Sequence, residues 1–236
     1  MADESTWKPM FFDAHCHLQD PRLSHCLDAV MSEARDHGVQ KLAQGDADVV
    51  PNFGLHPWWV AGRSHDWLQR LRQRLVDVPH AGLGECGLEF GRRKGLAGHD
   101  AQLEAFRAQL QLGVELRRPV SVHCVAAVGA LAEELRAVGG FEHGLVLHSW
   151  AGHAESTRQL AALPGVHFSL SGHTLRLAPR KLAPMLAQIP MDRLLLETDA
   201  PDGLPRLTGE DAAALLFVPE PPSSRASSSV DVALQM

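Results

Sequence analysis

The sequence lacks any apolar run long enough to cross a membrane. A transmembrane helix needs about 20 consecutive apolar residues, and polar or charged side chains interrupt every apolar stretch of these 236 residues sooner. The first residues, Met1-Ala2-Asp3-Glu4-Ser5, also lack the basic start and apolar core of a signal peptide. We therefore expect no membrane partner and a cytoplasmic protein, with the nucleus as the other compartment left open.

Cysteine is scarce, and its spacing argues against a thiolate metal site. The four cysteines are Cys16, Cys26, Cys86 and Cys124, and no two of them form a CxxC pair. Structural zinc sites normally use closely paired cysteines. Isolated cysteines are instead expected to be reduced, buried thiols that pack as small apolar residues.

A concentration of positive charge is also missing. The formal net charge is −6, and the basic residues are scattered along the chain. A protein that holds a nucleic-acid duplex by its backbone usually shows a basic stripe. The clearest basic cluster, Arg92-Arg93-Lys94, is explained either as a solvated loop or as a clamp for substrate phosphate.

The chain does contain a regular alternation of two kinds of segment. Apolar, β-type runs bounded by Gly, Pro or polar turns alternate with amphipathic segments. This alternation predicts parallel strands with right-handed crossovers, and therefore an α/β fold of the TIM-type (β/α)8 barrel class. The predicted strands are 10–17, 39–45, 49–56, 81–88, 119–124, 144–150, 166–171 and 193–199. The predicted helices are 25–37, 65–77, 100–117, 126–138, 154–163 and 179–188.

Two places depart from a regular barrel. Only Asp46, Ala47 and Asp48 separate the second and third predicted strands, whereas a crossover needs about a dozen residues. Either one of these two strands is wrongly assigned, or the second helix is missing and the local topology is altered, and we expect the missing helix. After Pro201 only 209–218 favours a helix, so most of the last helix is expected to be missing too. The Pro/Ser-rich segment 219–236 is expected to be a disordered tail behind a single barrel domain over 1–218.

A His-x-His pair, His15 and His17, ends the first predicted strand. Residues i and i+2 of a strand point to the same face, so the pair directs two imidazoles into one space. Two such histidines are about as often ordinary core or surface residues, and the chain holds 14 histidines in all. The pair therefore gains weight only together with other metal-ligand side chains.

Four later apolar runs carry such side chains. Glu85 lies within an apolar run, where a buried carboxylate is costly unless it is paired or bound to a metal. A carboxylate can bridge two cations, which makes Glu85 the best candidate bridge. His123, His148 and Asp199 follow other runs, and at matching strand ends they are better explained as metal ligands than as isolated core residues. Asp199 can also accept a proton from water, which makes it the candidate catalytic base.

His56 and Trp58 follow the third predicted strand and are candidate substrate-binding residues. His56 is placed to contact substrate phosphate or to support a ligand from outside. Trp58 and its neighbour Trp59 can stack on a nucleobase, although large aromatic side chains more often pack in the core or at its rim.

The motifs that carry these residues lie at 13–18, 54–58, 84–88, 123–124, 148–149 and 197–201. Together they resemble the TatD family of metal-dependent hydrolases, within the amidohydrolase superfamily. The resemblance implies a TIM-type barrel, one or two divalent cations (Mg, Mn or Zn) and hydrolysis of phosphodiester bonds by a deoxyribonuclease. Glu89 stands where members of that family usually carry Asp, and Val125 where they often carry Arg. The ligand role carries over to His15, His17, Glu85, His123, His148 and Asp199.

The hypothesis that follows is a metal-dependent hydrolase acting on DNA or another phosphodiester. Metal-activated water attacks phosphorus, and Asp199 orients that water and accepts its proton. No protein partner is predicted. Two alternatives stay open. The same site can hydrolyse another ester, a lactone or an amide. The missing helix and altered tail also fit a catalytically impaired metal-binding protein from a shortened isoform.

Overall fold

Eight parallel strands form the centre of the fold in the part of the chain that a computed structural model describes, residues 11–41 and 49–205. The strands are β1 Phe11–Phe12, β2 Val39–Lys41, β3 Asn52–Phe53, β4 Gly82–Glu89, β5 Val120–Val125, β6 Leu145–Leu147, β7 Val166–Leu170 and β8 Leu194–Leu196. The helices are α1 Leu27–Asp36, α2 Trp67–Asp77, α3 His99–Glu115, α4 Val128–Val138, α5 Ala154–Ala161 and α6 Pro179–Leu186. Short 3₁₀ helices cover Pro57–Gly62, Thr174–Arg176 and Met191–Arg193.

The strands follow one another around the fold in chain order. β1 pairs in parallel with β2, and β3 to β8 form a six-stranded parallel sheet. Past the ends of β1 and β8, the backbone N–H of Ala14 donates to the carbonyl of Leu196 at 3.0 Å, and that of Asp199 to the carbonyl of His15 at 2.9 Å. The last strand therefore returns to the first, which confirms the predicted TIM-type barrel order.

The first and last strands are shorter than predicted. β1 ends at Phe12 and β8 at Leu196, whereas strands over 10–17 and 193–199 were expected. Asp199 has a φ of 49°, a left-handed conformation that cannot continue a strand. On the other side, the carboxylate of Asp13 accepts the N–H of His15 and so takes the place of a ladder partner. The strands therefore end where the candidate ligands begin.

The side of the barrel at β1 and β2 has a small core of its own. Cys16, Leu18, Leu23 and Val49 are buried there against α1. Between β2 and β3 the structure describes only residues 49–51, which form no helix, and the expected loss of the second helix stays a prediction because residues 42–48 lie outside the description. The predicted last helix at 209–218 and the predicted tail at 219–236 also lie outside the described residues.

The main core lies between the six-stranded sheet and the helices that cover it. Strand β4 is buried along almost its whole length, as expected of a parallel strand covered on both faces. Helix α3 directs Ala105, Phe106 and Leu110 into the core, a spacing that places apolar side chains on one helical face. Among the described helices, none is both long and apolar enough to cross a membrane.

Two buried glutamines of α3 hold the loops that carry the site. The side chain of Gln109 accepts the N–H of Leu55 at 2.6 Å and donates to its carbonyl at 3.1 Å. Gln102 makes the same pair of hydrogen bonds with the backbone of Glu89, at 2.8 and 3.0 Å. Buried backbone groups need such hydrogen-bond partners. Helix α3 therefore holds the backbone just after β3 and at the C-terminal end of β4 in place.

Replacing a core leucine next to the site is expected to destabilise the protein. Leu147 is fully buried at the end of β6, so Leu147→Ala should lower the free energy of unfolding by about 3 kcal/mol through lost burial and a cavity. Urea unfolding followed by circular dichroism measures the change. Leu175→Ala is the matched control, because Leu175 is 60% exposed and its loss should cost about 0.5 kcal/mol or less. Equal effects of both substitutions would contradict the packing described.

Candidate metal centre

The loop after β1 places His15 and His17 together, in the common space that their spacing predicted. Their Nε2 atoms lie 3.2 Å apart and their rings meet edge to face. Asp13 shapes this loop, because its carboxylate accepts the N–H of His15 at 3.2 Å and the hydroxyl of Thr198 at 2.6 Å. Burial raises the pKa of Asp13, although the hydrogen bonds from Thr198 oppose that shift. The hydroxyl of Ser121 lies 3.2 Å from His15 Nδ1.

Glu85 lies at the centre of the cluster. It sits inside β4, which continues to residue 89, just as the predicted strand over 81–88 continues past Glu85. Its Oε1 lies 2.6 Å from His148 Nε2 and 2.9 Å from His123 Nδ1. Its Oε2 lies 3.5 Å from the Nε2 atoms of both His15 and His17. Each oxygen of one carboxylate therefore faces a different set of imidazoles.

The charges of these groups depend on one another. Burial disfavours the ionised form of Glu85, but the charges of His148 and His56 and a hydrogen bond from His123 hold its pKa well below the usual range. Burial likewise works against the charged form of His148, yet the charges of Glu85 and Glu197 hold the pKa of His148 well above its usual range. The protonated form of His148 therefore balances the charge of this buried carboxylate.

His123 connects this centre to the protein surface. Its Nε2 lies 2.9 Å from Glu89 Oε2, and that oxygen also accepts the indole N–H of Trp58 at 3.3 Å. Burial lowers the pKa of His123, but hydrogen bonds to Glu85 and Glu89 raise it overall. The guanidinium of Arg93 lies 3.6 Å from the centre of the Trp58 ring. Trp58 is thus a partly exposed aromatic surface beside the cluster.

His148 follows β6 directly and is supported from behind by Glu197. Glu197 Oε1 lies 3.5 Å from His148 Nδ1, and the hydroxyl of Ser169 donates to the other oxygen of Glu197. The side chain of Glu197 is fully buried. A carboxylate behind a ligand histidine fixes which ring nitrogen carries the proton and how the ring is oriented. His148 is therefore held with Nε2 turned to Glu85.

Asp199 closes the cluster opposite Glu85. Its Oδ1 lies 3.4 Å from His17 Nε2, and its Oδ2 lies 3.5 Å from His173 Nε2. Burial disfavours the ionised form of Asp199, but a hydrogen bond from His17 and the charges of His148, His15 and His17 keep its pKa below the usual value. Asp199 is therefore an ionised acceptor at neutral pH.

The donor atoms of the cluster fit divalent cations. Ligand atoms about 2.1 Å from a tetrahedral cation stand about 3.4 Å apart. The distances from His17 Nε2 to the nearest atoms of His15, Asp199 and Glu85 are 3.2, 3.4 and 3.5 Å. Two imidazole nitrogens this close repel unless a proton or a cation lies between them. Among the described residues, four groups of three side chains each bring their donor atoms within 4.8 Å of one another. These groups are His15/His17/Asp199, His15/Glu85/His148, His56/Glu85/His123 and His148/Glu197/Asp199.

His56 has a different role from the other histidines of the cluster. Its Nδ1 accepts the backbone N–H of Trp58 at 3.1 Å, so the ring proton lies on Nε2, 3.3 Å from Glu85 Oε1. Burial lowers the pKa of His56, against the charge of Glu85. A nitrogen that carries a proton cannot bind a metal. His56 therefore presents a hydrogen-bond donor to the centre.

All eight candidate residues come together at one end of the barrel. Of the basic cluster Arg92-Arg93-Lys94, only Arg93 contacts one of them. Arg93 lies on Trp58, whereas Arg92 and Lys94 are exposed. Sequence reasoning missed Asp13, Glu197 and His173 as parts of the site. Asp13 and Glu197 each stand two residues from a candidate ligand, which was an available signal. The residues around His173 gave none.

Comparison with known proteins identifies close relatives over most of the chain. Residues 12–225 match the sequence model of the family described as TatD related DNase. A protein of Pantoea vagans named 3′-5′ ssDNA/RNA exonuclease TatD is 34% identical over 217 residues, with 83% of this chain and 81% of that protein covered. A protein of the same name from Pantoea sp. strain At-9b is 33% identical over 213 residues, with the same coverage.

Solved structures agree with these matches. YjjV, a TatD homologue from Escherichia coli K12, superposes with a TM-score of 0.74 at 27% identity, covering 83% of this chain and 81% of that one. A TatD-family hydrolase from Entamoeba histolytica shares the fold at a TM-score of 0.70 and 20% identity, with 82% and 75% covered. The chain therefore belongs to the TatD-related DNase family and is a hydrolase that acts on phosphodiester bonds.

Proposed function

We propose that this protein removes nucleotides from the 3′ end of single-stranded DNA or RNA, the activity named for its Pantoea relatives, with two divalent cations at Glu85. The observation that carries the proposal is the position of Glu85, because its Oε1 faces the candidate ligands His123 and His148 while its Oε2 faces His15 and His17. A carboxylate placed in this way is suited to bridge two cations, and paired cations serve in-line displacement at phosphorus.

The proposed ligands divide into two sets that share Glu85. His15, His17 and Asp199 would hold one cation, and His123 and His148 the other. Imidazole-rich donor sets favour Zn²⁺ or Mn²⁺ over Mg²⁺. Cations held there supply positive charge against the phosphate oxygens and make water more acidic.

The proposed chemical step uses Asp199 and His56. The oxygen of a water molecule forms a bond to phosphorus, one P–O ester bond breaks, and the proton that the water loses passes to the carboxylate of Asp199. The oxygen that leaves takes up a proton from solvent and departs as an alcohol. The lowered pKa of Asp199 keeps it ionised and ready to accept that proton. His56 points its Nε2–H into the same space, where it can donate to a phosphate oxygen.

Trp58 is the proposed platform for a nucleobase. Its indole is held by Glu89 and remains 36% exposed at the rim of the cluster. Arg93 adds positive charge at the same place, beside the phosphates of a bound strand. Base stacking on an aromatic ring needs an unpaired base but no particular sequence. With a net charge of −6, such local contacts suit a single strand better than the backbone of a duplex.

The proposed place of action is the cytoplasm, with the nucleus as the alternative. Cys86 and Cys124 are free thiols in the structure. Burial raises the pKa of both, that of Cys124 to about 12, so both stay protonated and unreactive. Free thiols of this kind suit a reducing compartment.

Asp199→Asn is expected to lower kcat on a single-stranded oligonucleotide by at least about 100-fold, because the amide cannot accept the proton from water. The variant should keep its cooperative unfolding transition. Rates are compared at equal metal content, measured by mass spectrometry. Asp192→Asn is the matched control, since Asp192 is exposed in the 3₁₀ helix Met191–Arg193. An unchanged rate at equal metal occupancy would remove Asp199 from the mechanism.

Binding of a divalent cation is expected to release protons. The pKa of Glu85 is lowered, so its contribution to stability is present above its unfolded value of about 4.5 and is lost as the pH falls. The pKa of His148 is raised, so its contribution is complete below its unfolded value of about 6.5 and is lost as the pH rises through the folded value. The metal-free protein should therefore be most stable between these two unfolded values.

Above that window a cation replaces the protons. Calorimetric titration with Mn²⁺ at pH 7, in two buffers of different ionisation enthalpy, measures the release. We expect about one proton or more per protein. A binding heat that does not depend on the buffer would contradict the proposed ligand set.

Trp58→Ala is expected to raise KM for a single-stranded oligonucleotide about tenfold, the value of one stacked base, while Trp58→Phe keeps KM within about threefold. The same strand with abasic residues at its 3′ end is the matched substrate. The two variants should not differ on the abasic strand. An equal loss on both strands would show that Trp58 supports the fold rather than a base.

A further inference from the structure

His173 stands beside Asp199 although nothing in the sequence around it predicts a role. It lies between β7 and α6, directly before the 3₁₀ helix Thr174–Arg176. Its Nε2 lies 3.5 Å from Asp199 Oδ2, the carboxylate oxygen that does not face His17. The side chain of His173 is 35% exposed, so it lies at the open edge of the site.

Arg176 fixes the proton of His173. The guanidinium donates to His173 Nδ1 at 2.9 Å and to the carbonyl of Leu204 at 2.9 Å. An arginine has only N–H donors, so Nδ1 must be the acceptor and the ring proton must lie on Nε2. The two residues are three apart, a spacing at which side chains of a 3₁₀ helix lie one above the other. The ring proton of His173 therefore lies on Nε2, the nitrogen that stands 3.5 Å from Asp199 Oδ2.

The backbone around His173 is held firmly against the loop after β8. The N–H of His173 donates to the hydroxyl of Ser171 at 3.1 Å. A Cβ atom at Gly172 would lie 2.1 Å from the carbonyl oxygen of Gly203, a close approach that only glycine permits. This contact sets the distance between His173 and Asp199.

We propose that His173 is a positioning residue for Asp199. Its Nε2–H faces Oδ2, so that Oδ1 stays turned towards His17 and the cation site, and Arg176 keeps that proton on Nε2. The inference rests on the proposed ligand and base roles of Asp199. It adds a contact outside the ligand set that orients Asp199 from the rim, as partners behind metal ligands do elsewhere.

The test compares three substitutions by their affinity for Mn²⁺, which does not depend on turnover. The amide nitrogen of Gln reaches the place of His Nε2, whereas that of Asn reaches only the place of Nδ1. We therefore expect His173→Gln to keep the affinity within about threefold, while His173→Asn and His173→Ala lower it about 10- to 100-fold. Asp199→Asn gives the largest expected loss of affinity for Mn²⁺. His65→Gln, at an exposed histidine, is the matched control.

Kinetics on a single-stranded oligonucleotide give the second measurement. For His173→Asn, kcat should fall about 10- to 100-fold at saturating Mn²⁺ with KM within about twofold, and His173→Gln should restore it. A rise in KM alone would overturn the proposal in favour of a direct substrate contact. Equal losses in Gln and Asn variants would overturn it in favour of a purely structural role.

The ring proton itself is observed by ¹⁵N nuclear magnetic resonance of labelled histidine, with His173→Gln used to assign the signal. We expect the Nε2–H tautomer in the unsubstituted protein and loss of that preference in Arg176→Leu. An Nδ1–H tautomer in the unsubstituted protein would overturn the proposal. A protein that cleaves no substrate, yet shows this tautomer and the Gln/Asn difference in Mn²⁺ affinity, would refute the proposed function and leave the positioning role standing.

Discussion

A single buried carboxylate determines how the rest of the site is arranged. Five imidazoles lie within 3.5 Å of the oxygens of Glu85. The anion favours the protonated form of His148, and it tolerates burial because the imidazoles surround it. Strands β4 and β5 and the segments after β3 and β6 each bring one member of this group, and the loop after β1 brings two, His15 and His17. The parallel order of the barrel delivers all of them to the same end.

Three histidines of the site, His15, His123 and His148, each contact a further side chain on the side of the ring away from Glu85 or at its outer edge. Ser121 contacts His15, Glu89 contacts His123, and Glu197 contacts His148. These contacts restrict the rotation of each ring before any ligand arrives, and a site prepared in this way loses less entropy on binding. For two histidines, a residue nearby in the sequence determines which ring nitrogen carries the proton. The backbone N–H of Trp58 does so for His56, and the guanidinium of Arg176 does so for His173.

The sequence carried the order of elements and the candidate ligands, because both are local properties. Alternating apolar runs predicted the strands, and a ligand side chain beside a run predicted its position at the barrel end. Strand lengths were less predictable, since β8 stops at Leu196, three residues before Asp199 adopts a left-handed backbone. Contacts between distant segments were not predictable at all. Asp13, for example, contacts Thr198, which lies 185 residues further along the chain. The tautomer of His173 was not predictable either, although it depends on a residue only three positions away.

The two buried glutamines of α3 also constrain how this chain can change in length. Gln102 and Gln109 are seven residues apart, nearly two helical turns or about 10 Å along the axis. Each reads the backbone of a different loop, one next to His56 and one at Glu89. A single insertion between them would rotate one glutamine by about 100° away from its loop. The number of residues between Gln102 and Gln109 is therefore constrained. This part of α3 tolerates substitution on its outer face but not the gain or loss of a residue.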